Sequence, residues 1–181
     1  MQGTLAAPAT RTDTASDADR AAFEALYRTS RDDVYAYVAG LLRDRSAAED
    51  VTALAFERAY RKRGRWDASR GTRRAWLFGI ARNAALDELR RRKRSAELAA
   101  DPEDVDAVPL DAEADTALRR TALRRAMASL DARERELIAL KFFAGLGNAE
   151  IADVIGVSPT NAGTRLHRTI EKLRRACDEA V

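Results

Sequence analysis
Three features of this sequence predict an all-α fold. Residues of high helix propensity, Ala, Leu, Arg and Glu, are abundant in the 181 residues, while β-branched runs are few. Apolar residues recur at three- and four-residue spacing in one segment after another, the period of a helix with one inward face. Helix-start signals precede several of those segments. With 46% hydrophobic residues the chain can bury one or two small cores. The expected architecture is two small helical domains joined by a flexible acidic linker, the second containing a helix-turn-helix.

Residues 1–17 are small and polar without periodicity, and are expected to form a disordered tail. From Asp19 to about Arg43, Phe23, Leu26, Tyr27, Val34, Val38, Leu41 and Leu42 keep helical spacing, as one long helix or two short ones broken near Ser30. Ser46-Ala47-Ala48-Glu49 has the pattern of a capping box, opening a helix to about Arg61 with Val51, Leu54, Ala55, Phe56 and Tyr60 as its apolar band. Gly64 is expected to end it, and Arg65 to Gly71 to form a loop. Thr72 or a neighbour then starts a helix through Trp76, Leu77, Ile80, Ala84, Leu86 and Leu89 into Arg90-Arg91-Arg92-Lys93-Arg94, completing a first domain over 18–94. Trp76 shares the apolar band with Ile80 and is assigned to the core.

Residues 95–114 are acidic, contain Pro and lack helical period, as a linker does. The second domain, 115–181, begins with an amphipathic helix of Leu118, Ala122, Leu123, Ala126, Met127 and Leu130. Asp131 caps the next, with Glu134 three residues on; that helix is expected to bury Leu137, Ile138, Leu140 and Phe142 and to stop near Gly145 and Gly147. In the stretch that follows, Ile151, Ala152 and Ile155 face inward, Gly156 supplies a positive-φ stop, and Ser158 caps a new helix with Pro159 at its first position. On that helix Ala162, Leu166, Ile170 and Leu173 share one side. Thr160, Asn161, Thr164 and Arg168 lie opposite, flanked by Arg165 and His167. Such donors and acceptors suit base edges and phosphates in a major groove, although a helical hairpin with a solvated face has the same pattern.

Charge is segregated more than the net +3 suggests. From Arg58 to Arg94 there are fourteen Lys or Arg against Asp67, Asp87 and Glu88, whereas Ser95 to Asp115 carries eight acidic residues and no basic one. A basic block of this kind points to a polyanionic partner. A single cysteine, Cys177, rules out an internal disulfide. The opening Met1 to Pro8 has neither a basic head nor a long apolar core, and no run approaches the ~18 residues of a membrane span, so a cytoplasmic protein is expected. His167, the only histidine, has no Cys, Asp or Glu at ligand spacing; no metal, no cofactor and no catalytic site are expected.

Ala48-Glu49-Asp50 with Phe56, Arg58 and Ala59, then Arg70-Gly71-Thr72, Ala75-Trp76-Leu77-Phe78, Ile80-Ala81-Arg82-Asn83 and Asp87-Glu88-Leu89-Arg90-Arg91, form one ordered set of motifs. Leu130 with Arg133, Arg135 and Glu136, then Ala149-Glu150-Ile151-Ala152 and Arg165-Leu166-His167-Arg168, form a second. Together, from about Ala21 to Arg175, they resemble the extracytoplasmic-function (group 4) sigma factors of the sigma-70 family. The resemblance implies an RNA polymerase sigma factor that binds core RNA polymerase and directs promoter-specific initiation. The first domain would be sigma domain 2, docking on polymerase through Asp50, Ala53, Leu54, Phe56, Glu57 and Tyr60 and capturing the melted −10 strand. Trp66 and Asn83 match family positions lining the pocket for a flipped base. Arg65, Arg70, Arg73, Arg74, Arg82, Arg90 and Arg91 would serve the surrounding DNA, the last two being alternatively a solvated helix end.

The second domain would be sigma domain 4, reading the duplex −35 element through Thr160, Asn161, Thr164, Arg165, His167 and Arg168. Ala53 and Leu54 in the docking helix, and Ala162, Gly163 and Ile170 in the recognition helix, depart from the usual family residues, so a polar polymerase contact missing or replaced by an apolar one, and an unusual or weakened −35 specificity, are expected. The family also implies an anti-sigma factor as partner, without membrane insertion. A helix-turn-helix regulator that never joins polymerase, or a diverged sigma-like interaction protein that does not support initiation, are the alternatives.

Overall fold
The computed structural model describes residues 11–98 and 114–179, with side chains over 17–95 and 121–179. Among the described residues every regular element is helical. The first 10 residues of the expected tail and the linker core, 99–113, lie outside the described residues.

Helix α1 spans Arg11–Leu42 without a break. The expected tail is therefore helical from Arg11 on, and Ser30 continues the helix instead of interrupting it. Ser30 is buried and accepts from Arg74, which gives its hydroxyl a partner that a helix-breaking conformation would otherwise have to supply. Arg43, at φ 53°, turns the chain into α2, Arg45–Arg61. Its N-cap is Asp44, whose carboxylate accepts from the Ala47 N–H at 3.0 Å. Ser46 and Glu49 do not form the expected box, since Asp44 caps the helix two residues earlier, which places Ser46 inside its first turn, and Glu49 pairs with Arg45. Helix α2 ends at Arg61, before Gly64, and two short 3₁₀ turns, Arg63–Arg65 and Ala68–Arg70, replace the loop.

Helix α3, Arg73–Leu98, starts where the Thr72 hydroxyl accepts from the Ala75 N–H and runs beyond Arg94 into the segment assigned to the linker. Arg91 and Arg92 are not a free basic end. Both donate to Glu88, at 2.8 and 2.9 Å, and Arg92 also reaches Asp44 and the Leu42 carbonyl, tying α3 to the α1–α2 corner. Hydrogen bonds from Arg91 and then Arg92 hold the Glu88 carboxyl down from 4.5 to about 2. A depressed carboxyl stabilises the fold above its unfolded value and loses that contribution as pH falls from 4.5 toward 2. Glu88→Gln should therefore cost on the order of 1 kcal/mol at neutral pH, the cost shrinking below about pH 4. Urea unfolding of both proteins at several pH values reads this directly, and a pH-independent difference would remove the ion pairs as its cause.

Helices α4 (Ala114–Ala128), α5 (Ala132–Ile138), α6 (Asn148–Ile155) and α7 (Pro159–Asp178) make the C-terminal module. Asp131 and Glu134 form the expected capping box of α5. After Ile138 the helix widens into a π turn, Ala139–Phe143. That change of period keeps Leu140 buried but swings Phe142 out to 60% exposure, against the expectation that it is core. Leu123 on α4 is likewise exposed. Gly156 adopts the left-handed conformation, φ 72°, and Ser158 accepts from the Asn161 N–H, as expected for the turn of a helix-turn-helix.

The two modules share a core. Val34, Tyr37, Leu77 and Phe78 of the first belong to the same buried cluster as Leu137, Leu140, Leu146 and Ile151 of the second. Helix α6 crosses α3, and the π turn lies on α1, where Phe143 closes over Gly40.

Candidate nucleic-acid interface
Two faces of α3 diverge in use. Ala75, Trp76, Gly79, Ile80 and Asn83 form the floor of a groove whose rim includes Arg65, Trp66 and Arg70 from the preceding turns. Asp67 organises that rim, its carboxylate accepting from the Ser69 N–H and hydroxyl at 2.9 and 2.8 Å. Those bonds, the backbone one first, hold the Asp67 carboxyl below its ordinary range. Arg73 stacks on the Trp66 ring, 4.4 Å from its centroid, and pairs with Asp19. The Trp66 indole N–H is shielded from solvent and finds no acceptor within the described residues. Asn83, Arg65 and Arg70 are exposed. The groove thus combines an aromatic wall, an amide and two exposed cations, of which Arg70 lies in the field of the Asp67 carboxylate, a set able to hold an unstacked base and its phosphates. Trp76 serves both core and groove: it packs on the buried cluster and forms part of the floor.

The other face of α3 carries Arg74, Phe78 and Arg82, and it is covered. Arg74 pairs with Asp33 at 2.8 Å, lies over the Phe78 ring, and donates to the Ala144 carbonyl. Arg82 donates to Glu136 through Nε and Nη2, at 2.5 and 3.2 Å. Tyr37 also donates to Glu136 at 3.4 Å; burial, and next the Glu136 charge, push its phenol well above the usual range. Of the residues expected to hold −10 DNA, then, Arg65, Trp66, Arg70 and Asn83 converge on one groove. Arg74 and Arg82 are occupied by the C-terminal module, while Arg90 and Arg91 are engaged by Asp87 and Glu88 farther along the helix. Sequence spacing could not separate these groups, because the groups that engage Arg74 and Arg82, the Ala144 carbonyl and Glu136, lie in the other module.

On α2, Asp50, Ala53, Glu57 and Tyr60 are exposed and Leu54 half-buried. Phe56 is not: it is 6% exposed and meets Tyr27 and Phe23 edge to face, because helical phase turns it toward α1. It still forms the floor of a shallow groove between α1 and α2 with Tyr27, Tyr35 and Ala53, which reading α2 alone did not reveal. On α7, Thr160, Asn161, Thr164, Arg165, His167 and Arg168 are all exposed, with Ala162 and Leu166 buried beneath them. Gly163 is half-buried, and a Cβ there would stand 3.4 Å from the Asn148 amide, so the position belongs to the α6–α7 contact. Among the described residues no cluster of His, Cys, Asp and Glu is arranged for a metal ion, and no helix is long and apolar enough to cross a membrane.

The chain matches two families, Sigma-70 region 2 over residues 26–95 and Sigma-70, region 4 over residues 120–173. It is 36% identical over 167 residues to the RNA polymerase sigma factor CarQ of Myxococcus xanthus, covering 90% of this chain and 93% of that protein. It is 30% identical to the ECF RNA polymerase sigma factor SigL of Mycobacterium tuberculosis, covering 91% and 94% respectively. Among solved structures, the fold is similar to that of the sigma factor RpoE in complex with the anti-sigma factor NepR from Bartonella quintana, with a TM-score of 0.70, 21% identity and coverage of 86% of this chain and 96% of that one. It is also similar to CnrH in complex with the cytosolic domain of CnrY, with a TM-score of 0.63, 23% identity and coverage of 92% and 94%. With both regions present in order and relatives matching nearly end to end, the chain belongs to the extracytoplasmic-function branch of the sigma-70 family, the sigma factors through which RNA polymerase recognises promoters and initiates transcription.

Proposed function
We propose that residues 18–94 act as sigma domain 2 and residues 115–181 as sigma domain 4, joined through the acidic segment 95–114. The groove of Arg65, Trp66, Arg70 and Asn83 captures the melted −10 strand. The convergence of Trp66, Asn83, Arg65 and Arg70 on one groove carries this reading, since a ring, an amide and cations are what an unstacked base and its phosphates require. Arg73, stacked on Trp66, holds the indole in place and adds charge beside the strand. The exposed side of α2, Asp50, Ala53, Leu54, Glu57 and Tyr60, docks on core polymerase, with Phe56 supporting it from beneath. The exposed face of α7 reads the −35 duplex through Thr160, Asn161, Thr164, Arg165, His167 and Arg168.

The protein is a non-catalytic initiation subunit acting in the cytoplasm, and it is restrained by an anti-sigma factor. Both structural relatives named above were solved as complexes, the first with a protein named an anti-sigma factor. Transcription with purified core polymerase on a randomised promoter library tests the whole reading: initiation at sites that core alone ignores is the expected result, and none would refute it. Arg168→Ala should weaken the −35 footprint several-fold while leaving the −10 contacts of the bound holoenzyme intact. An unchanged upstream footprint would remove Arg168 from the recognition set.

A further inference from the structure
Trp66 has little local structure to hold its ring. It sits in extended backbone, φ −68° and ψ 134°, between the two 3₁₀ turns, and its backbone N–H reaches the Arg63 carbonyl only at 3.4 Å. No helix of its own restricts its side-chain torsions. Arg73, at the start of α3, supplies the restraint: its guanidinium carbon stands 4.4 Å from the ring centroid. Among the described residues no other cation or aromatic ring stacks on Trp66. Trp66 lines the groove and Arg73 does not, so the indole stands between the guanidinium and the space a base would enter. Arg73 is in turn anchored from a third element, its Nη2 donating to Asp19 Oδ1 at 3.3 Å, near the start of α1. The neighbouring Arg20 pairs instead with Asp17, on an exposed part of the helix.

We propose that Asp19 is a positioning residue for strand capture: through Arg73 it fixes the Trp66 indole with one face backed by the guanidinium and the other open to an unstacked base. The proposal rests on the reading of the Trp66–Asn83 groove as the strand site. A base that stacks on a freely turning ring must also immobilise that ring, and the lost rotamer freedom subtracts from the stacking; a ring already clamped incurs no such loss. Arg73 alone is a poor clamp, because its long side chain has several torsions of its own. A carboxylate on one edge of the planar guanidinium orients it and leaves its flat face to the ring. The early turns of α1, which touch no DNA in this reading, thereby belong to the machinery of strand capture. Charge alone predicts the opposite effect. Removing a carboxylate beside the groove raises the positive potential and strengthens attraction to DNA, whereas loss of positioning weakens capture even as attraction grows.

Holoenzyme reconstituted from the full chain and core polymerase is the material for the test, read by promoter opening and by binding of the closed duplex. Asp19→Asn should reduce opening about threefold with closed-duplex binding unchanged or slightly tighter, the size expected of one partly exposed ion pair acting through a cation–π contact. Asp19→Glu keeps the carboxylate and should open the promoter nearly as well as the natural chain. Asp17→Asn makes the same change in net charge two residues away and should not reduce opening. Trp66 itself gives a readout that a merely structural role would not move. In the chain alone, with Trp76→Phe leaving Trp66 as the sole tryptophan, Asp19→Asn should raise acrylamide quenching of its fluorescence while the thermal midpoint stays unchanged. Combined with Trp66→Ala, Asp19→Asn should reduce opening no further, because both act through one ring. Unreduced opening in Asp19→Asn, an equal loss in Asp17→Asn, unaltered quenching, or full additivity with Trp66→Ala would each overturn the proposal while leaving the strand site intact. Undiminished opening in both Trp66→Ala and Asn83→Ala would instead overturn the strand-site reading, and the proposal with it.

Discussion
Phe78→Ala is expected to lower stability by about 3–5 kcal/mol, the cost of deleting a large ring from a site that cannot collapse around the gap. Phe78 is fully buried, meets the Tyr37 ring edge to face at 5.6 Å, and lies beneath the Arg74 guanidinium. A loss of that size is a large share of the ~5–15 kcal/mol that a natural domain possesses. The thermal midpoint should fall by about 10 °C or more, read by circular dichroism. Phe142→Ala is the matched control, because the same truncation at a ring that is 60% exposed should stay within about 0.5 kcal/mol. Equal losses at the two positions would contradict the π turn that turns Phe142 outward.

Asn83→Ala should reduce promoter opening by roughly tenfold or more while changing duplex binding little. An amide that contacts an unstacked base contributes only after the base has left the helix, and contacts of this class are worth about 1–3 kcal/mol. Trp66→Ala should act in the same step through lost stacking, by a similar amount. Transcription from duplex and pre-melted promoters, beside binding of the closed duplex, separates the stages. A loss in closed-duplex binding as large as the loss in opening would place Asn83 outside the base pocket.

Several features of this molecule were legible as pattern. The helix-turn-helix could be read because its determinants are local: Gly156 permits the left-handed turn, Ser158 and Pro159 start α7, and opposite faces of α7 divide Ala162 and Leu166 from Thr164 and Arg168. The same holds for the Asp131–Glu134 box. Pattern failed where two local solutions competed. Ser46 and Glu49 spelled a cap that Asp44, one residue before the helix, had already supplied, and nothing in the spacing of Phe142 announced a π turn.

By itself the sequence determined the helical class, the order of the two modules, the family and the exposed polar face of α7. These depend on residues within a turn or two of one another, or on ordered motifs. Tertiary structure alone decided which cations are available. Arg65 and Arg70 are exposed at a groove while Arg74 and Arg82 are engaged by Ala144 and Glu136, far along the chain in the other module. The guanidinium groups of Arg74 and Arg82 are set apart from those of Arg65 and Arg70 by what packs against them, and an acceptor brought within hydrogen-bond reach of a guanidinium decides whether that charge is available to a polyanion.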